Sequence, residues 1–283
     1  LYYIKAGATE TELPSVNGSG LRVNRKVGAV STASWECCSP CDSTPLWPFG
    51  TAVTVLRRTG GTPEILFQGK IVAARGNGSP QSETVTYTAA DAWWDLEREI
   101  YCQTRKIAET GGTLADALYA RCLLCQADDG TRLTAAAMCE ALTDYAASLG
   151  IALQSGTFDA PVTPPWDEII DKTIAEVMLR TLLWQPDALP WIDHATVPPT
   201  LNVTRRGSMT AADAALTSLA QCSVRSFPEL VISGCVVTFE FSNARGRTVA
   251  EQTAGDPDAL GCARMTIPLE HESGQPGPSQ EIK

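Results

Sequence analysis

The sequence predicts an α+β protein with β-rich ends and a helical middle. Three observations carry this. Apolar residues alternate between turn signals over the first ~95 residues. From Ala89 to Trp184 they fall three and four apart, the spacing of one helix face. After Pro190 the alternation returns.

The elements follow in order. Candidate strands in the first region cover 21–25, 30–36, 52–57, 64–73 and 83–88, with Val53 and Val55, then Ile65 and Phe67, each on one parity. Asn17-Gly18-Ser19-Gly20, the stretch 45–50, Gly60-Gly61 and Gly76-Asn77-Gly78-Ser79-Pro80 supply the turns between them. Several short strands with regular turns predict a small barrel or sandwich. A helix is expected over 89–107, where Trp93, Leu96 and Ile100 recur at helical spacing. Thr113 is the expected N-cap of a helix over 114–126. Thr134 caps another over 135–149, which ends at Gly150 in the favoured C′ position. Pro164-Pro165 precede a helix over 166–184 that stops before Pro186. Strands are then expected at 201–205, 230–232, 235–242 and 263–269, with a short helix at 211–221. The tail, 273–283, carries Gly274, Pro276, Gly277 and Pro278 and reads as a flexible end.

Composition bounds the function. The 283 residues are 44% hydrophobic and 19% charged, which is globular usage and excludes a disordered chain. Lys+Arg 22 against Asp+Glu 32 leaves a net charge of −10, which argues against a protein that grips nucleic-acid phosphates. No apolar run approaches the roughly 20 residues of a membrane helix. The opening Leu1-Tyr2-Tyr3-Ile4-Lys5 is not expected to be a secretory leader, and without Met it leaves the true start open. Ten cysteines, at 37, 38, 41, 102, 122, 125, 139, 222, 235 and 262, are too sparse for a disulfide scaffold. Most are expected to be reduced thiols, with Cys122, Cys139 and Cys235 buried as small hydrophobes.

Chemistry-bearing motifs are few. Cys38-x-x-Cys41 and Cys122-x-x-Cys125 have the internal spacing of zinc half-sites, but the second pair lies in a Leu-rich segment where packing explains it. The cluster 37–41 is the place where a disulfide is most plausible. Only two histidines exist, His194 and His271, and both are expected to be exposed. No Gly-x-Ser-x-Gly elbow, phosphate-cradling loop or dinucleotide fingerprint occurs. Acidic pairs such as Asp128/Asp129 and Asp167/Glu168 read as solvated surface. Trp93, Trp94, Trp166, Trp184 and Trp191 offer a sugar-binding platform as one reading and core packing as the stronger one. No cofactor, no metal and no catalytic residue is expected. An internal echo links 21–26, 53–58 and 201–206, each a strand ending in basic residues.

One arrangement is more specific. Val53-Thr54-Val55 is followed by Leu66-Phe67-Gln68-Gly69-Lys70-Ile71-Val72 and then by Val85-Thr86-Tyr87-Thr88-Ala89-Ala90-Asp91 leading into Ala92-Trp93-Trp94. This strand, F-x-G-x-V strand and v-x-Y-x-A-x-D strand resemble the N-terminal tube domain of tail hub proteins of tailed bacteriophages, the baseplate-hub and late-control-protein-D type. Trp191-Ile192-Asp193, Pro198-Pro199-Thr200-Leu201-Asn202-Val203, the stretch 232–240, Thr253-Ala254-Gly255-Asp256-Pro257 and Thr266-Ile267-Pro268-Leu269 are similar to the second tube-like part of such hubs. The helical middle carries little of the resemblance.

The resemblance implies two small tube-like antiparallel β-barrels. The expected domains are 1–97 for the first barrel, 98–184 for the helical region, 185–272 for the second barrel and 273–283 for the tail. It further implies a structural, non-enzymatic homotrimer at the virion tail tip, made in the bacterial host cytoplasm. Its six barrels would meet a sixfold tail tube or distal tail protein on one side and a threefold spike or fibre on the other. Genomic DNA would pass along the axis without specific binding, and no membrane span is involved. Three chains of −10 carry about −30, a sign that suits the passage of a polyanion. Strand edges near 52–57 and 201–205, with Arg57, Arg58, Arg205 and Arg206, are the expected subunit interface. The alternatives are a carbohydrate-binding β-module using the tryptophans and, behind it, a cell-wall hydrolase.

Overall fold

The computed structural model describes residues 1–40, 44–59, 62–79, 82–108, 114–126, 131–165, 167–206, 234–243, 246–255 and 263–269. The protein is α+β, mainly β with few helices, and divides into two compact units, Leu1–Met209 and Thr210–Lys283.

Period-2 alternation builds the first unit. Its principal sheet contains β1 (Tyr2–Ala6), β2 (Thr9–Glu12), β3 (Gly18–Asn24), β4 (Thr32–Cys37), β5 (Ala52–Arg57), β6 (Glu64–Ser79) and β7 (Ser82–Ala90). The spatial order is β2-β1-β5-β6-β7-β4-β3, and every pairing is antiparallel. The inward faces of β1, β4, β5, β6 and β7 supply the core: Ile4, Trp35, Val53, Val55, Phe67, Ile71, Val85 and Tyr87 are buried. The rings of Trp35, Trp47 and Tyr87 lie 5.0–5.8 Å apart in stacked and edge-on contacts, and the Leu46 N–H donates to the Tyr87 hydroxyl at 2.9 Å. The two edge strands, β2 and β3, are consecutive in the chain. One 3-10 turn, Leu13–Val16, joins them and sends Leu13 into the same core.

The expected helical middle is corrected. After the short α1 (Trp93–Leu96), the chain forms β8 (Gln103–Ala108), β9 (Leu114–Tyr119) and β10 (Arg121–Leu124) where helices over 89–107 and 114–126 were expected. β8 pairs with β9. The cause is visible in β10, where Cys122 and Leu124 are buried and Arg121 is exposed: an alternating strand hidden in a short apolar run that also fits helical spacing. The helix expected over 166–184 is divided into β12 (Asp167–Ile170), which pairs with β10, and α3 (Ile174–Leu182). The Thr134-capped helix is present as α2 (Ala135–Ser148), with the Thr134 hydroxyl accepting from the Ala137 N–H at 3.2 Å. Gly150 follows it at φ +84°, a left-handed conformation that glycine adopts without strain. Thr173 and Glu176 close a reciprocal capping box on α3. α2 and α3 pack together, and Met138, Cys139, Leu142, Val177 and Met178 are buried.

The unit is completed by β11 (Gln154–Phe158), β13 (Ala188–Asp193) and β14 (Thr200–Arg205), with β14 between the other two, parallel to β11 and antiparallel to β13. In the second unit β15 (Gly234–Asn243) pairs antiparallel with β16 (Gly246–Gly255) and parallel with β17 (Ala263–Leu269). The strands expected at 235–242 and 263–269 are β15 and β17. The helix expected at 211–221, the strand at 230–232, His271 and the tail lie outside the described residues. Among the described residues no helix is long and apolar enough to cross a membrane.

Candidate assembly surface

The four arginines assigned to an interface sit at two strand ends. β5 finishes at Arg57, whose guanidinium meets the Glu64 carboxylate at 2.6 Å across the β5–β6 pair. Arg58 meets Glu10 at 2.6 Å and lies 5.0 Å over the Tyr3 ring. At the end of β14, Arg205 Nε donates to Asp187 Oδ2 at 2.7 Å, and the Arg206 N–H donates to the Asp187 carbonyl at 2.8 Å. The Asp187 carboxyl is held below its usual range, chiefly by the hydrogen bond from Arg205. The side chains of Arg57, Arg58 and Arg205 are all partly exposed, so these pairs are surface contacts of small individual worth.

The edge-pairing expectation is overturned at both places. β5 lies between β1 and β6, and β14 lies between β11 and β13. Their backbone donors and acceptors are used within the chain, so neither strand offers an open edge. The arginines present side-chain charge and nothing more.

The F-x-G-x-V and v-x-Y-x-A-x-D segments are adjacent strands, β6 and β7. Phe67 and Ile71 face the core from β6 and Val85, Tyr87 and Ala89 from β7, with buried Asp91 just past the end of β7. At Gly69 a Cβ would fall far inside contact distance of the Ala90 carbonyl oxygen, so the glycine permits the close approach of the two chains. Where these strands end, Lys5, Gln68, Lys70, Asp91, Asp95 and Pro199 help line a cavity of about 470 Å³. Two of these lining residues, Lys70 and Asp95, are ion-paired with each other.

His194 was expected at the surface and is instead buried, with Asp91 beside it. Gln68 binds it twice, through the backbone N–H to Nδ1 at 3.1 Å and the side-chain amide to the His194 carbonyl at 2.6 Å. The signal was in the sequence: Ala188, Pro190 and Ile192 face inward on β13, and His194 continues that parity. Neither ring nitrogen reaches solvent, so this pair offers no access to a substrate.

The other candidate chemistries are equally enclosed. Burial raises the thiols of Cys37 to about 11 and of Cys125 and Cys139 to about 12, which keeps them protonated at neutral pH. Cys122 is buried, its thiol donating to the carbonyls of Tyr119 and Tyr101. The described cysteines include no disulfide; Cys41, Cys222 and Cys262 fall outside the described residues, as does the Cys235 side chain. Among the described residues no three His, Cys, Asp or Glu side chains converge as a metal site. Trp93 is buried in the core, the face of Trp94 carries the Arg98 guanidinium at 3.5 Å, and Trp191 donates to the Thr204 hydroxyl. These three rings form no open platform, and Trp166 lies outside the described residues.

No protein-family model matches the chain, and no curated protein matches it. Solved structures do. A tail protein from Neisseria meningitidis MC58 is 13% identical with TM-score 0.53, the alignment covering 95% of this chain and 71% of that one. The 43 kDa tail protein of prophage MuSo2 from Shewanella oneidensis is 13% identical with TM-score 0.54, covering 94% and 72%. The prophage tail protein gp18 from Listeria monocytogenes EGD-e is 9% identical with TM-score 0.53, covering 95% and 72%. The chain has the fold of these phage tail proteins. In this tail-protein fold the similarity extends over both units and is not confined to the motif-bearing strands.

Proposed function

We propose that the chain is a structural, non-enzymatic tail hub of a phage or phage-like particle. One observation carries the reading: at least 94% of the chain aligns with each of three phage tail proteins, on a scaffold in which Asp91, His194, Cys122, Cys125 and Cys139 are buried. The hub is a homotrimer with two tube-like β domains per subunit. Six similar domains then face a sixfold tail tube, while the threefold side receives a spike or fibre. DNA passes through the axis without being read. The seven-stranded antiparallel sheet, with its edge strands joined by one turn, supports the first tube-like domain. The exposed Arg57, Arg58, Arg205 and Arg206 sit on the rim and meet acidic surface of neighbouring copies. Closed cyclic symmetry is the natural form for such an adaptor.

Sedimentation of the purified chain, followed by a map of the particle, tests the proposal. A species with the mass of three chains and a threefold ring at the tail tip is the expected result. A particle in which the chain occupies a sixfold ring, or no ring, overturns it.

A further inference from the structure

Two Asn-Gly pairs, Asn17-Gly18 and Asn77-Gly78, have no task in the structural role. In such a pair the glycine nitrogen can attack the asparagine side chain, because no Cβ stands in its way. The attack needs the backbone to leave its resting conformation. Local structure therefore decides which pair reacts.

Asn17 is held in place. It follows the 3-10 turn at φ 52°, ψ 35°, its N–H donates to the Pro14 carbonyl at 3.0 Å, and its carbonyl accepts the Cys38 N–H at 3.3 Å. Gly18 comes next in β3, opposite Cys37 and packed against buried Leu13. Opening this site disturbs the seat of a core residue.

Asn77-Gly78 has no such support. Both residues lie inside β6. β5 pairs with β6 only as far as Lys70, and β4 stops pairing with β7 at Val85. The last pairs of β6 and β7, Asn77 with Thr84, Gly78 with Glu83 and Ser79 with Ser82, therefore form a two-stranded arm beyond the sheet. Gly76, Asn77, Gly78, Ser82 and Glu83 are exposed, and Thr84 is half-buried. A two-stranded ribbon without a core is marginal in water, and such ends open at little cost. The Asn77 amide is held by one bond, from Nδ2 to Thr86 Oγ1 at 3.3 Å.

We propose that Asn77 is a self-modification site, converting to aspartate and isoaspartate while Asn17 stays intact. The Gly78 backbone nitrogen attacks Asn77 Cγ and gives up its proton. The Cγ–Nδ2 bond breaks, ammonia leaves, and a cyclic succinimide remains. Water then opens the ring at either carbonyl, giving aspartate or isoaspartate. The sum is one water consumed and one ammonia released, with no oxidant or reductant. Either product adds a negative charge to the arm. Isoaspartate also adds a carbon to the β6 backbone, so the pairs beyond it cannot re-form in register.

Peptide mapping by mass of the full chain, held at pH 8 and sampled over time, tests the site. In the native chain Asn77 should convert at least about tenfold faster than Asn17, following the difference in local opening. In urea the two Asn-Gly pairs should convert at similar rates. Gly78→Val suits a strand and shields the nitrogen, so it should remove the fast conversion. An Asn77 that stays intact in the native chain, or an Asn17 that reacts as fast, overturns the proposal. So does a rate difference that persists in urea, because it would owe nothing to the fold.

Discussion

Gly69 shows how one missing side chain positions two strands. Its neighbours Phe67 and Ile71 point into the core, and the Ala90 carbonyl occupies the space a Cβ would need. The contact is with backbone, which cannot swing aside. Gly69→Ala should therefore destabilise the first unit by roughly 1–3 kcal/mol, the range of overpacking in a filled interior. The midpoint of urea unfolding measures it, and an unchanged midpoint would contradict the close approach. Cysteine reactivity tests the same interior by another route. With thiols raised to about 12 by burial, Cys125 and Cys139 should resist iodoacetamide at pH 8 in the native chain and react once it is unfolded in urea. Exposed Cys38 should react in both states. Mass mapping of the labelled peptides separates the three.

Two helices of the first unit depend on their N-caps. Thr134 and Thr173 each give a side-chain oxygen to an otherwise orphaned backbone N–H, and the Thr173 N–H in turn donates to the Glu176 carboxylate. Replacing either threonine by alanine should cost about 1 kcal/mol, read as a lower urea midpoint with unchanged slope. The cap of α2 was legible from Thr134 ahead of an apolar-periodic run that ends at Gly150. The cap of α3 was equally legible as Thr173-x-x-Glu176. It was obscured because the apolar residues from 166 to 184 form one continuous pattern, so β12 and α3 merged into a single expected helix. Residues 114–124 failed for a related reason. Short apolar runs satisfy both periods, and pairing of β9 with β8 and of β10 with β12 settles which one is used. Such pairings are long-range and leave no local mark.

At the scale of the whole molecule, the basic residues at the two strand ends carry the clearest prediction. Each exposed ion pair contributes little to folding. Charge reversal of Arg57, Arg58, Arg205 and Arg206 together should therefore leave the thermal midpoint of the isolated chain within a few degrees. In a trimeric hub the same reversal should weaken self-association at low salt, while reversal at one strand end alone has a small effect. Analytical ultracentrifugation at two ionic strengths reads both. Loss of the fold instead of the assembly would place these residues in the core of the subunit and outside any interface.

Alternation by itself determined the β-rich character of the first region, the last strands and the shared parity of Val53 and Val55, because a strand's two faces are written two residues apart. The same local rule determined α2, where a threonine cap and a glycine stop bracket a helical period. Only the tertiary structure decided that β5 and β14 are interior strands, since hydrogen-bonded neighbours come from distant segments. Only it brought Asp91 and His194 together from 103 positions apart and buried both. A residue's charge state depends on what surrounds it in space, and that surrounding is assembled from chain ends that no local pattern joins.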